Sequence, residues 1–485
     1  MRRARLRFTG PRVDVPADVL DRLRDVCAAV STDAGSIAEA GRDWWPLAMT
    51  WAIEDRVPNL AAAVARPASG LETAAVLAVC NESSIPVTAA AGRSGVCGGT
   101  VPAFGGIVVD LCALSGIVDV DDASLTVDVG AGTFGAPLEA ALRRDHGLTL
   151  GHWPQSIDLS TVGGWLACRS AGQLSTRYGK IEDMVNGLDV ALADGRLVAT
   201  GGAPRQAVGP DLTQLFVGSE GTLGVITGAR LRVHPVPPRE WRGAWGLATF
   251  AGGLDVLRRV LRRGATPAVL RLYDAVEADR TYGTGPGTNL LLALDEGDRA
   301  VVDATLAIVT EECVTAGATR LDRELVGHWL DHRNDVSALA PLVAAGLVVD
   351  TMEVSAPWTA LPRLYEDCLG VLAALEGTIV ASAHQSHSYL DGGCLYFTFA
   401  GKVRPDARDG YYIAAWDVAA RAALAAGASL AHHHGIGLNR GRFMRQALGG
   451  TFDVLAAVKS ALDPRGVLNP GKLGLDAPFG PVPWP

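Results

Sequence analysis

Hydrophobic and polar positions in the first half of the chain alternate between two patterns. Apolar residues at helical spacing, including Val19, Leu20, Leu23 and Val26, predict that residues 1–54 form an N-terminal helical segment. Beyond it, short apolar runs bounded by glycine predict strands at 85–88, 106–111, 125–129, 187–192, 197–199 and 225–233, with helices at 71–81 and 136–144. Short strands with interspersed helices are typical of an α+β domain.

A proline cluster at residues 235–238 marks the expected end of this domain. The next stretch has another rhythm, with helices predicted at 254–263 and 300–316 and strands at 289–294 and 394–400. The pattern therefore predicts a helical segment at 1–54, an α+β domain at 55–238, a second α+β domain at 239–430 and a C-terminal segment at 431–485. The last segment is too short for a core of its own, so we expect it to pack back onto an earlier domain.

The bulk properties describe an ordinary globular protein of two or three domains, with 485 residues, 48% of them hydrophobic and 20% charged. A net charge of −9 argues against nucleic acid as a main partner. No long uncharged apolar run predicts a membrane span, and the basic start at residues 1–5 is not followed by the apolar stretch of a secretory signal. Eight scattered cysteines without a C-x-x-C pair indicate reduced thiols. The prediction is a cytoplasmic protein.

Three consecutive histidines, His432, His433 and His434, precede a glycine-flanked turn near the C-terminus. Imidazole both moves protons near neutral pH and binds metals. A strong apolar helix predicted at 414–426 delivers the triplet to a loop. From the residue types alone, the triplet faces a metal, a substrate or neither.

Three glycine-rich segments lie in the first α+β domain, at 88–99, 151–183 and 218–227. Small residues let backbone N–H groups approach an anion closely, as a phosphate requires. The first segment lacks the Gly-Lys-Ser/Thr ending of an ATP P-loop. A literal G-x-G-x-x-G match at 130–135 is not expected to bind a dinucleotide, because its surroundings do not form the classical βαβ unit.

These segments, from about residue 55 to the end, resemble the FAD-binding vanillyl-alcohol oxidase and p-cresol methylhydroxylase superfamily. Within it the chain most resembles the alkylglycerone-phosphate synthases (alkyl-dihydroxyacetonephosphate synthases). The shared motifs are Gly151-His152-x-Pro154-x-Ser156, Ser160-Thr161-Val162-Gly163-Gly164-Trp165, Tyr178-Gly179-x-Ile181-Glu182-Asp183, Glu353-x-Ser355-Ala356-Pro357-Trp358, Tyr396-Phe397-x-Phe399 and His432-His433-His434-Gly435-x-Gly437. The resemblance implies an α+β fold with a two-part FAD-binding PCMH-type domain, a substrate (cap) domain and a C-terminal tail that packs back at the flavin.

The resemblance also implies non-covalent FAD, with its pyrophosphate on backbone amides of the first segment and its flavin ring at the interface with the second domain. Tyr396 would be the catalytic acid/base, His432, His433 and His434 would line the reacting centre, and Arg333 and Arg271 would bind substrate. The implied FAD contacts are Ala89, Ala90, Ala91, Gly92, Arg93, Ser94, Gly95, Gln155, Ser156, Ile157, Asp158, Leu159, Ser160, Thr161, Cys168, Arg169, Ser170, Ala171, Glu220, Gly221, Thr222, Leu223, Gly224, Val225 and Ile226.

Two departures from the family pattern stand out. The family has a lysine soon after the histidine run, where this chain has Leu438-Asn439-Arg440, and Arg440 is the expected replacement in binding the substrate. The first glycine-rich segment carries Arg93 and Cys97 where small or hydroxyl residues are usual. In flavoenzymes with covalent FAD a histidine can stand near the place of Cys97, which we expect to be a buried thiol near the cofactor.

Two functions follow from the resemblance. The first is exchange of acyl for alkyl on an acyl-dihydroxyacetone phosphate, a step of ether lipid synthesis without net redox change. The second is FAD-linked oxidation of a 2-hydroxy acid or another alcohol. Tyr396 and the triplet disfavour a third hypothesis, a flavin-binding fold without catalysis.

No metal is expected, because the metal-binding segment of related hydroxy-acid enzymes is missing and His384 and His387 are expected at the surface. The predicted partner is a small-molecule or lipid-like substrate; peripheral membrane contact and a homodimer are left open.

Overall fold

The computed structural model describes residues 5–484. Predictions about residues 1–4 and 485, which include most of the basic start, lie outside this range. Among the described helices, none is both long and apolar enough to cross a membrane. The predicted fold class is confirmed, because helices and strands intermix through two large α+β parts, with a mainly helical segment before them and a tail behind them.

The N-terminal segment closes against the other end of the chain. Rings of Trp45 and Trp51 pack edge to face with centroids 5.4 Å apart, and Trp484 packs against both of them at 5.0 and 5.6 Å. This aromatic cluster joins the two termini. The elements of the segment are β1 (Arg5–Leu6), α1 (Ala17–Val26), β2 (Ala29–Ser31), α2 (Ala34–Ala40), α3 (Pro46–Ile53) and β3 (Arg56–Val57).

The first α+β part contains two larger sheets and one two-stranded sheet. Its elements are β4 (Ala63–Arg66), α4 (Gly70–Glu82), β5 (Val87–Ala90), β6 (Ile107–Asp110), β7 (Ile117–Asp121), β8 (Thr126–Gly130), α5 (Gly135–Ala141), a π-helical turn (Leu142–His146), β9 (Leu148–Thr149), α6 (Val162–Cys168), α7 (Ser175–Tyr178), α8 (Ile181–Met184), β10 (Val185–Ala191), β11 (Leu197–Gly201), α9 (Leu212–Phe216), β12 (Val225–Arg232) and β13 (His234–Pro235). Strands β2, β4, β6 and β5 form a four-stranded sheet, and β11, β10, β12, β8 and β7 form an antiparallel five-stranded sheet.

The second α+β part is built on one antiparallel sheet of seven strands, in the order β17-β14-β16-β15-β19-β20-β18. Helices pack against both faces of this sheet. The elements are β14 (Arg239–Leu247), α10 (Phe250–Arg262), β15 (Val269–Tyr273), α11 (Ala275–Tyr282), β16 (Asn289–Gly297), α12 (Arg299–Thr315), β17 (Thr319–Leu321), α13 (Glu324–His332), a 3-10 turn (Ser337–Leu339), α14 (Ala340–Ala344), β18 (Val348–Pro357), α15 (Leu361–Ala374), β19 (Thr378–Ser388), β20 (Gly392–Gly401), a 3-10 turn (Pro405–Ala407) and α16 (Arg408–Ala425).

The C-terminal tail returns to the first α+β part, as predicted. It contains a 3-10 turn (Gly441–Phe443), α17 (Met444–Leu448) and α18 (Thr451–Leu462). Val87 of β5 donates its N–H to Val467, and its carbonyl accepts from Asn469. Lys459 of α18 adds hydrogen bonds of 2.8 Å from Nζ to the carbonyls of Thr222 and Leu468. These contacts hold the tail against β5 and the third glycine-rich segment.

A buried histidine in the first part makes stability depend on pH. His152 is 1% exposed, its ring contacts Trp165, and neither ring nitrogen has a hydrogen-bond partner among the described residues. Burial, and then the charge of Lys180, lower the pKa of His152 to about 3. Between about pH 6.5 and 3 the unfolded chain therefore binds more protons at this residue than the folded one, so stability falls with falling pH.

We expect His152→Phe to weaken the acid sensitivity of the protein. From pH 6.5 to 5 the unfolding free energy of the wild type should fall by about 1.6 kcal/mol more than that of the variant, since one pKa unit corresponds to about 1.4 kcal/mol. Urea titrations at the two pH values measure the difference. Equal acid sensitivity of the two proteins would show that His152 is not kept neutral by folding.

Candidate functional site

A cavity of about 620 Å³ lies where the glycine-rich segments meet the seven-stranded sheet. Its volume is in the range of ligand and cofactor sites. Backbone from the three glycine-rich segments forms one wall, and polar side chains of β15, β19 and β20 form the opposite wall. The N-terminal segment contributes a third side that no motif predicted, made by Asp43, Trp44, Pro46 and Met49.

The first glycine-rich segment follows β5 and presents backbone to this cavity. A Cβ on Gly92 would lie 2.1 Å from the carbonyl oxygen of Leu159, so a larger side chain cannot be placed there without displacing backbone. Arg93 has a φ of 51°, and its guanidinium is turned to Glu39 and Asp110 at 2.9 and 3.4 Å. The charge of Arg93, which departs from the family pattern, is therefore neutralised. The backbone of Arg93 remains at the cavity.

We expect Gly92→Ala to lower the content of FAD, the cofactor that the sequence resemblance implies, by at least about tenfold in the purified protein, because the added methyl group must push the two segments apart. The ratio of flavin to protein absorbance after gel filtration measures this. Gly370→Ala in α15 is the matched control, since nothing lies within 4 Å of the added carbon. It should keep full FAD. Equal FAD content in both variants would show that the first glycine-rich segment does not hold the cofactor.

Several buried polar atoms at the cavity lack partners among the described residues. They are Asp43 Oδ2, Thr100 Oγ1, Gln173 Oε1 and Ser386 Oγ. Buried polar groups are normally hydrogen-bonded, so these atoms fit a ligand with many hydroxyl and carbonyl groups. A dinucleotide cofactor such as FAD has that chemistry, and the glycine cradle leaves room for its pyrophosphate.

Strand register creates a row of polar side chains on the opposite wall. Tyr396 of β20 pairs directly with Glu353 of β18 on one side and with His384 of β19 on the other. His384 in turn pairs with Tyr273 of β15. Directly opposed residues project from the same face of a sheet, so four strands place one continuous polar row. The ring of His384 stacks on Tyr396 with centroids 4.9 Å apart.

The histidine triplet is held against this row by Glu353. The Oε1 atom of Glu353 accepts the backbone N–H of His432, His433 and His434 at 3.2, 3.0 and 2.8 Å. The hydroxyl of Tyr396 lies 2.5 Å from Nε2 of His434 and 3.1 Å from Nε2 of His433. Nδ1 of His434 lies 3.1 Å from Oε2 of Glu353. The phenol and the imidazole are therefore hydrogen-bonded, and the carboxylate lies within ion-pair distance of the same ring.

Electrostatics set the resting protonation of the phenol, the imidazoles and the carboxylate. Burial, followed by the charge of Glu353, raises the pKa of Tyr396 well above its usual value, so the phenol is protonated. Burial, followed by His434, holds the pKa of His433 well below its usual value. Burial alone would raise the pKa of Glu353, but Arg440 and His434 hold it well below its usual range. The carboxylate is therefore charged and can stabilise a proton that arrives on His434.

Two arginines on the cavity wall form no ion pair with a described residue. Arg271 donates from Nε to the hydroxyl of Tyr273 at 2.6 Å and contacts Nε2 of His384 at 2.7 Å. The guanidinium of Arg333 lies over the ring of Trp153 at 5.1 Å. Both charges remain available to an anionic ligand.

The structure corrects the prediction that Arg440 binds substrate. Arg440 is fully buried away from the cavity and forms an ion pair with Glu353, with a further hydrogen bond of 3.0 Å to the carbonyl of Leu430. His384 and His387, expected at the surface, are 6% and 4% exposed and line the cavity. His432 does not reach the cavity wall, because its ring turns to Tyr389 and His433.

Most residues predicted to contact FAD line the cavity, and five do not. Ile157 and Leu223 are in the hydrophobic core, and Asp158 is exposed. The hydroxyl of Thr222 donates to the carbonyl of Ser219, and the side chain of Arg169 donates to Val217 and Gln214. The residues that do line it are Ala89, Ala90, Ala91, Gly92, Arg93, Ser94, Gly95, Gln155, Ser156, Leu159, Ser160, Thr161, Cys168, Ser170, Ala171, Glu220, Gly221, Gly224, Val225 and Ile226.

Cys97 lies at the cavity, as expected, and is 3% exposed. Burial raises the pKa of its thiol well above the usual value. Since the thiolate is the reactive form, this cysteine is inert in the resting protein.

Comparison with known proteins gives consistent results along the chain. Residues 61–201 match the family described as "FAD binding domain", and residues 236–473 match "FAD linked oxidases, C-terminal domain". The FAD-linked oxidoreductase YgcU of Escherichia coli K12 is 30% identical over 383 residues, which are 76% of this chain and 79% of that protein. Alkyldihydroxyacetonephosphate synthase of Dictyostelium discoideum is 28% identical over 86% of this chain and 74% of its own length.

A further relative is glycolate oxidase subunit GlcD of Bacillus subtilis, 26% identical over 85% of this chain and 88% of its own length. Among solved structures, an alkyldihydroxyacetonephosphate synthase superposes with a TM-score of 0.79 at 23% identity, covering 98% of this chain and 88% of that one. p-Cresol methylhydroxylase superposes with a TM-score of 0.75 at 16% identity, covering 96% and 99%. At these identities the two structures show the fold.

Proposed function

The chain belongs to the FAD-linked oxidoreductases and its cofactor is FAD, and from this premise we propose that it oxidises a small anionic alcohol of the 2-hydroxy acid class. The position of Arg271 supports this proposal. Only the imidazole of His384 separates its guanidinium from Tyr396. In a 2-hydroxy acid the carboxylate is bonded to the carbinol carbon. The cationic residue that binds this carboxylate must therefore lie close to the acid/base.

Each residue has its own role in the proposed oxidation. FAD, when bound, supplies the hydride acceptor. Arg271 holds the carboxylate of the substrate through charge-assisted hydrogen bonds. The oxygen of Tyr396 takes the hydroxyl proton while its own proton passes to Nε2 of His434, 2.5 Å away. Glu353 faces Nδ1 of the same ring and stabilises the imidazolium.

A second function has its own support in Arg333. This second free arginine lies in the same cavity over Trp153, with Arg271 at the polar row. A substrate whose phosphate lies several bonds from the reacting carbon would use it, as acyl-for-alkyl exchange on an acyl-dihydroxyacetone phosphate requires. The same Tyr396–His434 pair would move the proton in that reaction.

The two functions are separated by anaerobic mixing of the holoenzyme with candidate substrates. Under the first function a 2-hydroxy acid bleaches the flavin absorbance within a turnover. Under the second, an acyl-dihydroxyacetone phosphate and a labelled fatty alcohol give a labelled ether product while the flavin absorbance stays unchanged. If neither mixture reacts while FAD is bound, both proposals are wrong.

We expect Arg271→Met to lower kcat/KM for the active hydroxy acid by about 10²-fold, since loss of charged hydrogen bonds costs about 2–4 kcal/mol. Arg333→Met is the matched control, and it should change the same constant by less than about fivefold. Steady-state kinetics with unchanged FAD content measure both. A larger effect of the Arg333 substitution would favour the phosphate-bearing substrate.

A further inference from the structure

Three imidazoles from two distant parts of the chain meet beside the cavity. His387 ends β19, and His432 and His433 belong to the triplet loop. One ring nitrogen of each lies within 4.8 Å of the corresponding nitrogens of the other two. The ring of His387 stacks on His432 with centroids 4.9 Å apart and meets His433 edge to face at 5.0 Å. Within residues 5–484, this is the only cluster of three such potential metal ligands.

Each of the three rings is held through one nitrogen by a hydroxyl group. A histidine that binds a metal with one nitrogen almost always uses the other in a hydrogen bond, which fixes the tautomer and the ring orientation. The remaining nitrogens are Nε2 of His387 and the Nδ1 atoms of His432 and His433. The hydroxyl contacts are Ser175 Oγ to His387 Nδ1 at 2.7 Å, Tyr389 Oη to His432 Nε2 at 2.8 Å and Tyr396 Oη to His433 Nε2 at 3.1 Å.

We propose that His387, His432 and His433 bind one divalent transition-metal cation of the Zn²⁺ type, with a further coordination position open to water. Three imidazoles without a carboxylate ligand suit zinc rather than magnesium or calcium, which prefer oxygen. Tetrahedral zinc with bonds of 2.0–2.1 Å holds two nitrogens about 3.3 Å apart. The Nδ1 atoms of His432 and His433 are 2.8 Å apart, so a small opening of the two rings admits the ion.

The surroundings are compatible with a cation despite a nearby lysine. Nζ of Lys180 binds the carbonyl of His432 at 2.7 Å, and its charge is paired with Glu182 at 3.0 Å. The carboxylate of Glu353 lies beneath the triplet and accepts its backbone N–H groups. His387 and His432 are 4% and 8% exposed, and burial favours the neutral imidazole that binds metals.

The ion would act on the acid/base through His433. If Nδ1 of His433 binds the metal, its proton must lie on Nε2, which then donates to the oxygen of Tyr396. A donor at that place stabilises the phenolate and eases proton transfer from the phenol to His434. This consequence is independent of the identity of the substrate, and metal binding itself requires neither substrate nor turnover.

The test is metal uptake by the FAD-loaded protein in the absence of substrate. Protein treated with a chelator is dialysed against buffered Zn²⁺, and bound zinc and flavin are measured in the same sample. We expect one Zn²⁺ per chain in the wild type and almost none in His387→Gln and His432→Gln. His384→Gln is the matched control, because His384 lies in the same cavity but contacts Glu277 and Arg271 instead. It should keep one Zn²⁺.

A second measurement guards against variants that fold poorly. Zn²⁺ should raise the Tm of the wild type and of His384→Gln, since a ligand that binds the folded state stabilises it, and should leave the Tm of the other two variants unchanged. No zinc uptake by the wild type would overturn the proposal. The short distance between the Nδ1 atoms of His432 and His433 would then be explained by a hydrogen bond between them. Full uptake by both His387→Gln and His432→Gln would place the ion elsewhere and overturn it as well.

Discussion

Tyr396→Phe should lower turnover by about 10²–10⁴-fold, the usual contribution of a positioned acid/base, while FAD stays bound. The hydroxyl is the only atom lost, and it joins the substrate side of the cavity to His434 and His433. The phenyl ring can still stack on His384. Stopped-flow measurement of flavin reduction isolates this step from product release.

Tyr389→Phe is the matched control for this experiment. Tyr389 is also a half-buried tyrosine bonded to a triplet histidine, His432, at 2.8 Å, but it does not line the cavity. Its loss should slow flavin reduction by less than about tenfold, as expected for a residue that only positions a ring. Comparable losses in both variants would mean that the triplet needs its hydroxyl contacts for its shape, and that Tyr396 is not the acid/base.

The register of the seven-stranded sheet explains which part of the site was predictable. Tyr396, His433 and His434 were predicted from motifs that are each local in the chain, and the structure brings them together. Tyr273 and His384 were missed as site residues, because their role depends on pairing across β15, β19 and β20. Tyr273 and His384 pair although 111 residues separate them in the sequence, and such pairing leaves no local pattern.

Burial is the second reason why some residues were predicted in the wrong place. Arg440 stands where the family has a lysine, and an arginine near a phosphate site is an ordinary expectation. Its position became clear only from Glu353, which lies 87 residues earlier and is 0% exposed like Arg440 itself. The same holds for His387, which a polar neighbourhood in the sequence placed at the surface and the sheet places in the interior.

The strands and helices themselves were mostly predictable, because their periods are local. The strands that were not predicted include β15, β18 and β19 of the seven-stranded sheet. They also include β7 (Ile117–Asp121), which alternates apolar with acidic residues at the edge of its sheet and is largely exposed. The contribution of Asp43 and Met49 to the cavity was also missed. Both residues lie before residue 61, where the first family match begins.

Glu353→Gln should lower the free energy of unfolding by about 3–5 kcal/mol, the usual cost of leaving one charge of a buried ion pair uncompensated. Arg440 is 0% exposed and has only Glu353 as an ion-pair partner among the described residues. The amide that replaces the carboxylate also holds the N–H groups of His433 and His434 less strongly. Urea denaturation at neutral pH measures the loss, and flavin reduction should slow as the triplet moves.

Asp128→Asn provides the matched control, because Asp128 pairs with Arg230 at the surface, with 28% and 45% of the two side chains exposed. Such a pair contributes less than about 1 kcal/mol. The pH dependence gives a second criterion. The pKa of Glu353 is held well below its usual value, so its contribution is complete above the unfolded value of about 4.3 and is lost as pH falls through the folded value. The difference between wild type and Glu353→Gln should therefore be constant from pH 7 to about 5 and shrink only in stronger acid. A difference that already disappears near pH 6 would show that Glu353 is protonated in the native protein and that Arg440 is compensated by another group.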